Sequence, residues 1–346
     1  MKTILFYTNG IYRGGIEIAL YNLISHLDTN TYKIYVTCTD KDTFEVLEKR
    51  IGNYCEYVEI DEEINVDILI FCNYVSKFAE KYIKNIKCKK SYFWFHCFGE
   101  NQENFLEKVC KENLVDKIIT VCDSIRKELL DIDYLKGQDN KIITIKNILD
   151  SEKIKMQSQE TVDVSKAKDL TMIVIARLVK EKGFGRVKIL LNDMKQQNID
   201  YKLLVIGTAN TEEQVTEIKN MFKDDEKVIF LGYQENPYKY LTICDYNVLL
   251  SDRENMSLSM MEAKILGVPN IVTDFESAFE EVTDMENGFI LSRENTASYK
   301  ERISQILNEK QRLKNNLKDF KYDITPILYQ WEELMNEKEK GEQNER

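Results

Sequence analysis

Short runs of apolar, β-branched residues alternate along this chain with windows in which apolar positions recur every three to four residues. In the first half the short runs predict strands at Ile4–Thr8, Lys33–Thr39, Asp67–Cys72, Tyr92–Cys97, Lys117–Cys122 and Lys141–Lys146. The windows between them predict helices at Glu17–Leu27, Thr43–Lys49, Lys77–Ile86, Glu103–Lys111 and Asp123–Leu130. Strands buried on both faces and joined by helical crossovers imply a mainly parallel sheet covered by helices. The pattern stops in the polar stretch Asp150–Leu170 and restarts at "TMIVIARL", with further strands near Met172–Ile175, Leu203–Ile206, Val228–Leu231, Asn247–Leu250, Asn270–Thr273 and Phe289–Leu291. The expected fold is α/β, two doubly wound domains facing across a cleft, split as 1–165 and 166–346. The last helix, about 325–339, is expected to pack back on the first domain. Ligands of such sheets bind outside the C-terminal strand ends.

Composition narrows the chemistry. With 346 residues, 43% of them hydrophobic, the chain can bury two cores. No apolar run reaches membrane-span length, and "MKTILFYTNG" lacks a cleavable signal pattern, so a cytoplasmic location is expected. The eight cysteines show no CxxC spacing and sit mostly in strand-like runs, which favours reduced core thiols over zinc or disulfides. A formal charge of −11 argues against a nucleic-acid partner.

Three loops carry candidate chemistry. "FYTNGIYRGGIEIAL" places Gly10, Gly14 and Gly15 before the first helix but lacks the GxGxxG spacing of a dinucleotide fingerprint. It reads equally well as an anion-approach loop or a flexible connection. "IARLVKEKGFGRV" leaves a strand through Arg177 and reaches Lys182 before Gly183; such cations suit a diphosphate, although solvated basic residues on a loop look the same. "SDRENMSLSMMEAKILGVP" reads as strand end, loop and helix, with Glu254 on the loop and Glu262 in the helix's first turns. A capping box from Ser259 to Glu262 accounts for the second acid and not the first.

Taken together these stretches resemble the retaining GT-B glycosyltransferases of family GT4, most strongly over Thr171–Leu291. Glu254 and Glu262 align with the family's E-x7-E motif, "ARLVKEKG" with its basic diphosphate segment and "VIFLGY", ending at Tyr233, with its base-binding strand end. "ICDYNVLLS", "MEAKILGVPNIVTD" and "ENGFIL" follow in order. The resemblance implies sugar transfer with retention from a nucleotide diphosphate sugar, UDP-linked, to a glycan or lipid-linked acceptor in bacterial surface polysaccharide biosynthesis, with no cofactor and no metal. Arg177 and Lys182 would hold the diphosphate, aided by backbone N–H groups at Leu258 and Ser259. Glu262 would accept the ribose hydroxyls and Glu254 the donor sugar. His96, after "YFWF", would reach the sugar, and Gly15 would let its loop approach the phosphates; a strand-end histidine is otherwise a core residue.

Two features depart from the family pattern: Asn255 stands where glycine is usual, and Phe275 where a small residue is common. They are the best arguments for a catalytically silent partner subunit as an alternative; an epimerase acting on UDP-GlcNAc is the other. The acidic triplets Asp40–Asp42 and Asp131–Asp133 are expected by chance at this acidity. Ser76–Lys90, an apolar stripe ringed by lysines, predicts a helix that docks peripherally on anionic membrane, or an ordinary packed helix.

Overall fold

The computed structural model of the chain describes residues 1–8, 14–38, 52–72, 74–75 and 83–337. They fall into two compact units, Met1–Leu149 with Asp323–Arg346, and Asp150–Tyr322. The boundary therefore lies at Leu149 and Asp150 rather than between 165 and 166. Asp150 accounts for the difference, because it caps a short helix that belongs to the second unit, its Oδ1 accepting the Lys153 N–H at 2.9 Å.

The first unit contains β1 (Lys2–Thr8), α1 (Gly15–His26), β2 (Tyr32–Cys38), β3 (Glu56–Tyr57), β4 (Ile64–Phe71), β5 (Ile86–Phe95), α2 (Glu100–Lys111), β6 (Lys117–Thr120), α3 (Asp123–Asp131) and β7 (Ile142–Thr144). The seven strands among the described residues are all parallel, in the order β3-β2-β1-β4-β5-β6-β7. Phe71, Phe93 and Phe105 meet edge to face at 5.1–5.5 Å beneath α2, a geometry that adds to their area burial.

The second unit begins with α4 (Ser151–Gln157) and continues through β8 (Leu170–Ile175), α5 (Phe184–Gln196), β9 (Tyr201–Ile206), α6 (Glu212–Met221), β10 (Val228–Gly232) and α7 (Tyr238–Leu241). β11 (Tyr246–Leu249), α8 (Leu258–Ile265), β12 (Asn270–Thr273), α9 (Ala278–Glu281), β13 (Gly288–Leu291) and α10 (Tyr299–Leu317) complete it. Its six strands are also parallel, in the order β10-β9-β8-β11-β12-β13. The strand order reverses between β8 and β11, and the loops leaving those two strands are where a doubly wound sheet binds its ligand. Helix α11 (Thr325–Asn336) belongs to the first unit, where Trp331 stacks edge-on against Trp94 at 5.0 Å and the Tyr92 hydroxyl donates to Leu334 O at 2.9 Å.

Several local expectations are corrected. Ile86–Lys90 is the start of strand β5, not the end of a helix, and Ser76–Tyr82 lies outside the described residues. Lys87 pairs with Glu63 at 2.7 Å and Lys89 with Asp67 at 2.8 Å, so these lysines answer carboxylates of the neighbouring strand region rather than ringing a helix. Lys89 is the main reason the Asp67 carboxyl is held down at about 2. The basic stripe that suggested membrane docking is thus not a single helical face. The Thr43–Lys49 helix and the Asp40–Asp42 triplet lie outside the described residues. None of the eight cysteines forms a disulfide; five are buried, whereas Cys88 is exposed and Cys97 and Cys110 are half-buried, so the core-thiol description fits only the five. Among the described residues no helix is long and apolar enough to cross a membrane.

Candidate active site

Two close backbone approaches shape the strand ends of the second unit. After β8 the chain passes Arg177, makes a 3-10 turn over Lys180–Lys182 and enters α5 through Gly183. Gly183 is left-handed, with φ +72°, and a Cβ there would lie 1.7 Å from Leu250 O, so only glycine lets this basic loop rest on the end of β11. After β9, Gly207 has φ +144° and would meet Ala176 O at 1.9 Å. Glycine at both places keeps the loop after β8 pressed between its neighbours.

That approach brings the predicted cation to the predicted acid. Lys182 Nζ donates to Glu254 Oε1 at 2.6 Å, and the Ser251 hydroxyl donates to the same oxygen at 2.6 Å. Both charged side chains are largely buried, at 19% and 11% exposed, so the pair is shielded from the water that weakens surface ion pairs. The loop is fixed from several directions: Ser277 Oγ donates to Glu254 O at 2.7 Å, Asp252 N to Glu181 O at 2.8 Å and Thr273 Oγ1 to Ser251 O at 2.5 Å. Arg186 Nε donates to Leu250 O at 2.7 Å and its Nη2 to the Asp252 carboxylate, while Arg293 spans Asp274 and Asp252 O. Arg177, by contrast, is exposed on the loop leaving β8.

Glu262 lies elsewhere in the same set of strand ends. Helix α8 has Ser257 as N-cap, so its third residue is Met260 and a Ser259–Glu262 capping box does not form. Ser257 Oγ lies 3.2 Å from Ser259 Oγ, and Leu258 and Ser259 are themselves buried in the first turn, whose N–H groups precede the first intrahelical bond. Glu262 is only 5% exposed and accepts from the Tyr238 hydroxyl at 3.1 Å through Oε1. Burial pushes its carboxyl up to about 7, and the Tyr238 hydrogen bond opposes that rise. A buried carboxylate poised in this way is a strong acceptor for hydroxyl groups once it is ionised. The helix is anchored behind the site: buried Asn270 donates to Met260 O at 3.1 Å and receives Asn247 Nδ2 at 2.8 Å. Lys264 Nζ reaches Glu281 O at 2.9 Å and Glu281 Oε2 at 3.0 Å and lies over the Phe320 ring.

The remaining predicted residues fall as follows. Tyr233 is half-buried just beyond β10, after left-handed Gly232 at φ +67°. In the first unit His96 follows β5, is 9% exposed and lies 4.3 Å from the Trp94 ring, with burial holding its imidazole down at about 3. Gly15 is the exposed first residue of α1, next to Gly14, whose N–H donates to Glu17 Oε2 at 3.1 Å. Asn255, in the place where glycine is usual, has no positive φ, and Phe275 is 1% exposed, packed among Leu249, Met260, Val272, Ala278 and Val282. The phenylalanine is core filler. Asp133 of the second acidic triplet pairs with Lys136 at 2.7 Å on the surface. Sequence reasoning missed Ser251, Arg186 and Tyr238; "NPY" (236–238), a few residues past the end of β10, was the available signal for Tyr238.

The profile of the family described as glycosyl transferases group 1 matches residues 156–323, almost the whole of the second unit. The capsular polysaccharide biosynthesis glycosyltransferase CapM of Staphylococcus aureus is 24% identical over 214 residues, which cover 59% of this chain and 55% of CapM. The chain thus spans about half the length of this curated relative. The crystal structure of a glycosyltransferase from Rickettsia africae superposes with a TM-score of 0.76 at 14% identity, covering 96% of this chain and 97% of that one. Anabaena Alr3699/HepE in complex with UDP-glucose gives 0.71 at 16% identity, with 97% and 99% covered. The chain therefore has the fold of GT-B glycosyltransferases, two parallel-sheet Rossmann-like units, and over residues 156–323 it is similar to the glycosyl transferases group 1 domain.

Proposed function

We propose that the protein transfers a sugar from a UDP-sugar to a glycan or lipid-linked acceptor with retention of anomeric configuration. The observation that carries this reading is the meeting of Lys182 with Glu254 where the strand order reverses, in a unit that also holds a buried, hydroxyl-accepting Glu262. The group 1 match and the UDP-glucose bound to a structural neighbour support it, and CapM's part in capsular polysaccharide biosynthesis supports a surface-polysaccharide acceptor.

In this mechanism the donor diphosphate draws Lys182 away from Glu254 and meets Arg177, and the two cations stabilise the charge that grows as the anomeric C–O bond breaks. Glu254, released from Lys182, accepts hydrogen bonds from the donor sugar. Glu262 accepts the ribose hydroxyls, and Tyr233 borders the base. The acceptor oxygen attacks from the face the phosphate leaves, and its proton passes to the departing phosphate oxygen. Burial favours the neutral form of His96, which serves as a hydrogen-bonding group toward the sugar rather than as a general acid. Arg177 and Lys182 supply the leaving-group charge, so a divalent metal has no required step. Neither departure from the family pattern favours a silent subunit, since Phe275 fills the core and Asn255 adopts an ordinary backbone.

The test is calorimetry with UDP alongside hydrolysis of a panel of UDP-, GDP- and ADP-sugars. UDP should bind, and Glu262→Gln should weaken it by roughly ten- to a hundredfold, the range expected for one hydrogen bond to a charged acceptor. Arg177→Ala and Lys182→Ala should lower turnover more than donor affinity. A parent protein that binds no nucleotide diphosphate would refute the reading, and activity lost in EDTA and restored only by manganese would refute its metal-independent form.

A further inference from the structure

Glu262 presents two oxygens with different fates. Oε1 is engaged by the Tyr238 hydroxyl at 3.1 Å, whereas Oε2 accepts no hydrogen bond from the described residues although the side chain is 95% buried. The orientation of the open oxygen therefore depends on what holds the other. Tyr238 opens α7, a helix of only four residues, and would be poorly fixed by that helix alone. Its backbone N–H instead donates to Asn236 Oδ1 at 3.2 Å, and Asn236 Nδ2 donates to Gln157 O, at the end of α4, at 2.9 Å. One residue on, Lys239 reaches Glu160 at 3.0 Å. A continuous line of hydrogen bonds thus runs from α4 through Asn236 and Tyr238 to Glu262. The ring of Tyr238 meanwhile packs against the apolar cluster around Leu241 and Ala263, so its hydroxyl is the part not accounted for by packing.

We propose that Tyr238 is a positioning residue for the nucleoside: anchored by Asn236, it holds the Glu262 carboxylate so that Oε2 faces the ribose hydroxyls. This inference rests on the donor site proposed above. A phenol suits the task because its rigid ring is located by packing, leaving only the O–H to find its acceptor. The hydrogen bond also opposes the burial that favours the protonated carboxyl, so it supports the form able to accept from the ligand.

The test compares UDP with its 2′,3′-dideoxy analogue by calorimetry on the full chain. The parent should prefer UDP. Tyr238→Phe, which keeps the ring, should lose roughly tenfold in UDP affinity, consistent with one hydrogen bond to a carboxylate, and bind the dideoxy nucleotide as the parent does. In a Glu262→Gln background the same change should have no further effect on UDP, and Asn236→Ala should shift affinity in the same direction as Tyr238→Phe. Equal losses for both nucleotides would reveal a merely structural tyrosine and overturn the proposal, as would unchanged UDP affinity in Tyr238→Phe. A parent with no preference for UDP would overturn the ribose role of Glu262 itself, and this inference with it.

Discussion

A carboxylate stripped of water is costly to ionise, and Glu262 carries that cost in the folded chain. Its carboxyl is raised from 4.5 to about 7, so the folded state holds the proton more tightly than the unfolded state does. The linkage sign follows: this contribution to stability is fully present below about 4.5 and is lost as pH rises through about 7. Glu262→Gln removes the ionisation while leaving an oxygen for Tyr238. The variant should melt like the parent at pH 4 and be the more stable protein at pH 8, by up to about 3 kcal/mol. His96 has the opposite sign, its contribution being lost as pH falls from 6.5 toward about 3, but it is present in both proteins and cancels in the comparison. Parallel melting curves at both pH values would mean that the Glu262 proton is not held as described. A site residue that costs stability and strengthens binding is the pattern expected where function overrides local packing. Glu262 was legible in the sequence through its spacing from Glu254, yet the serine that begins its helix was not. Ser257 and Ser259 have the same chemistry two residues apart, and only the fold decides which one precedes the first turn.

Among elements, the loop from β8 to α5 carries the sharpest constraint. Gly183→Ala would place a methyl group 1.7 Å from Leu250 O in a left-handed backbone, so the loop must retreat and take Lys182 from Glu254. The expected loss is about 3 kcal/mol or more in urea unfolding, with weaker UDP binding. Gly185→Ala is the matched control, since nothing lies within 4 Å of a Cβ there and the residue sits inside helix α5. It should be neutral or stabilising by up to about 1 kcal/mol. Similar outcomes for the two glycines would contradict the close approach. The same scale shows why most strands were readable and a few were not. Parallel strands buried on both faces, such as Ile4–Thr8 and Leu203–Ile206, appear as unbroken apolar runs that no helix period disguises. β3 is two residues, Glu56–Tyr57, too short and polar to register. The first half of β5 reads "IKCKKS", and its Lys87 and Lys89 pair with Glu63 and Asp67, partners that no local window contains. Tyr238 escaped for a related reason, because its value lies in an acceptor 24 residues away.

For the molecule as a whole, the apolar pattern near the C-terminus foretold a helix, and the structure assigns α11 to the first unit through Trp331, Leu334 and Met335, each 3% exposed or less. Trp331→Ala should remove the contact with Trp94 and cost about 3–5 kcal/mol. Because Asp150–Tyr322 is continuous, that loss should appear as a lower melting temperature for the first unit while UDP affinity is kept. Loss of UDP binding without any change in melting would contradict the assignment. The same arrangement imposes an order on biosynthesis. The strands of the first unit leave the ribosome first, but the helix that covers Trp94 emerges roughly 180 residues after the first unit's last strand, on the order of ten to forty seconds later at ordinary translation rates. During that interval the earlier-made sheet waits with an apolar face uncovered, whereas the later-made unit holds all its own strands and can close before the chain returns.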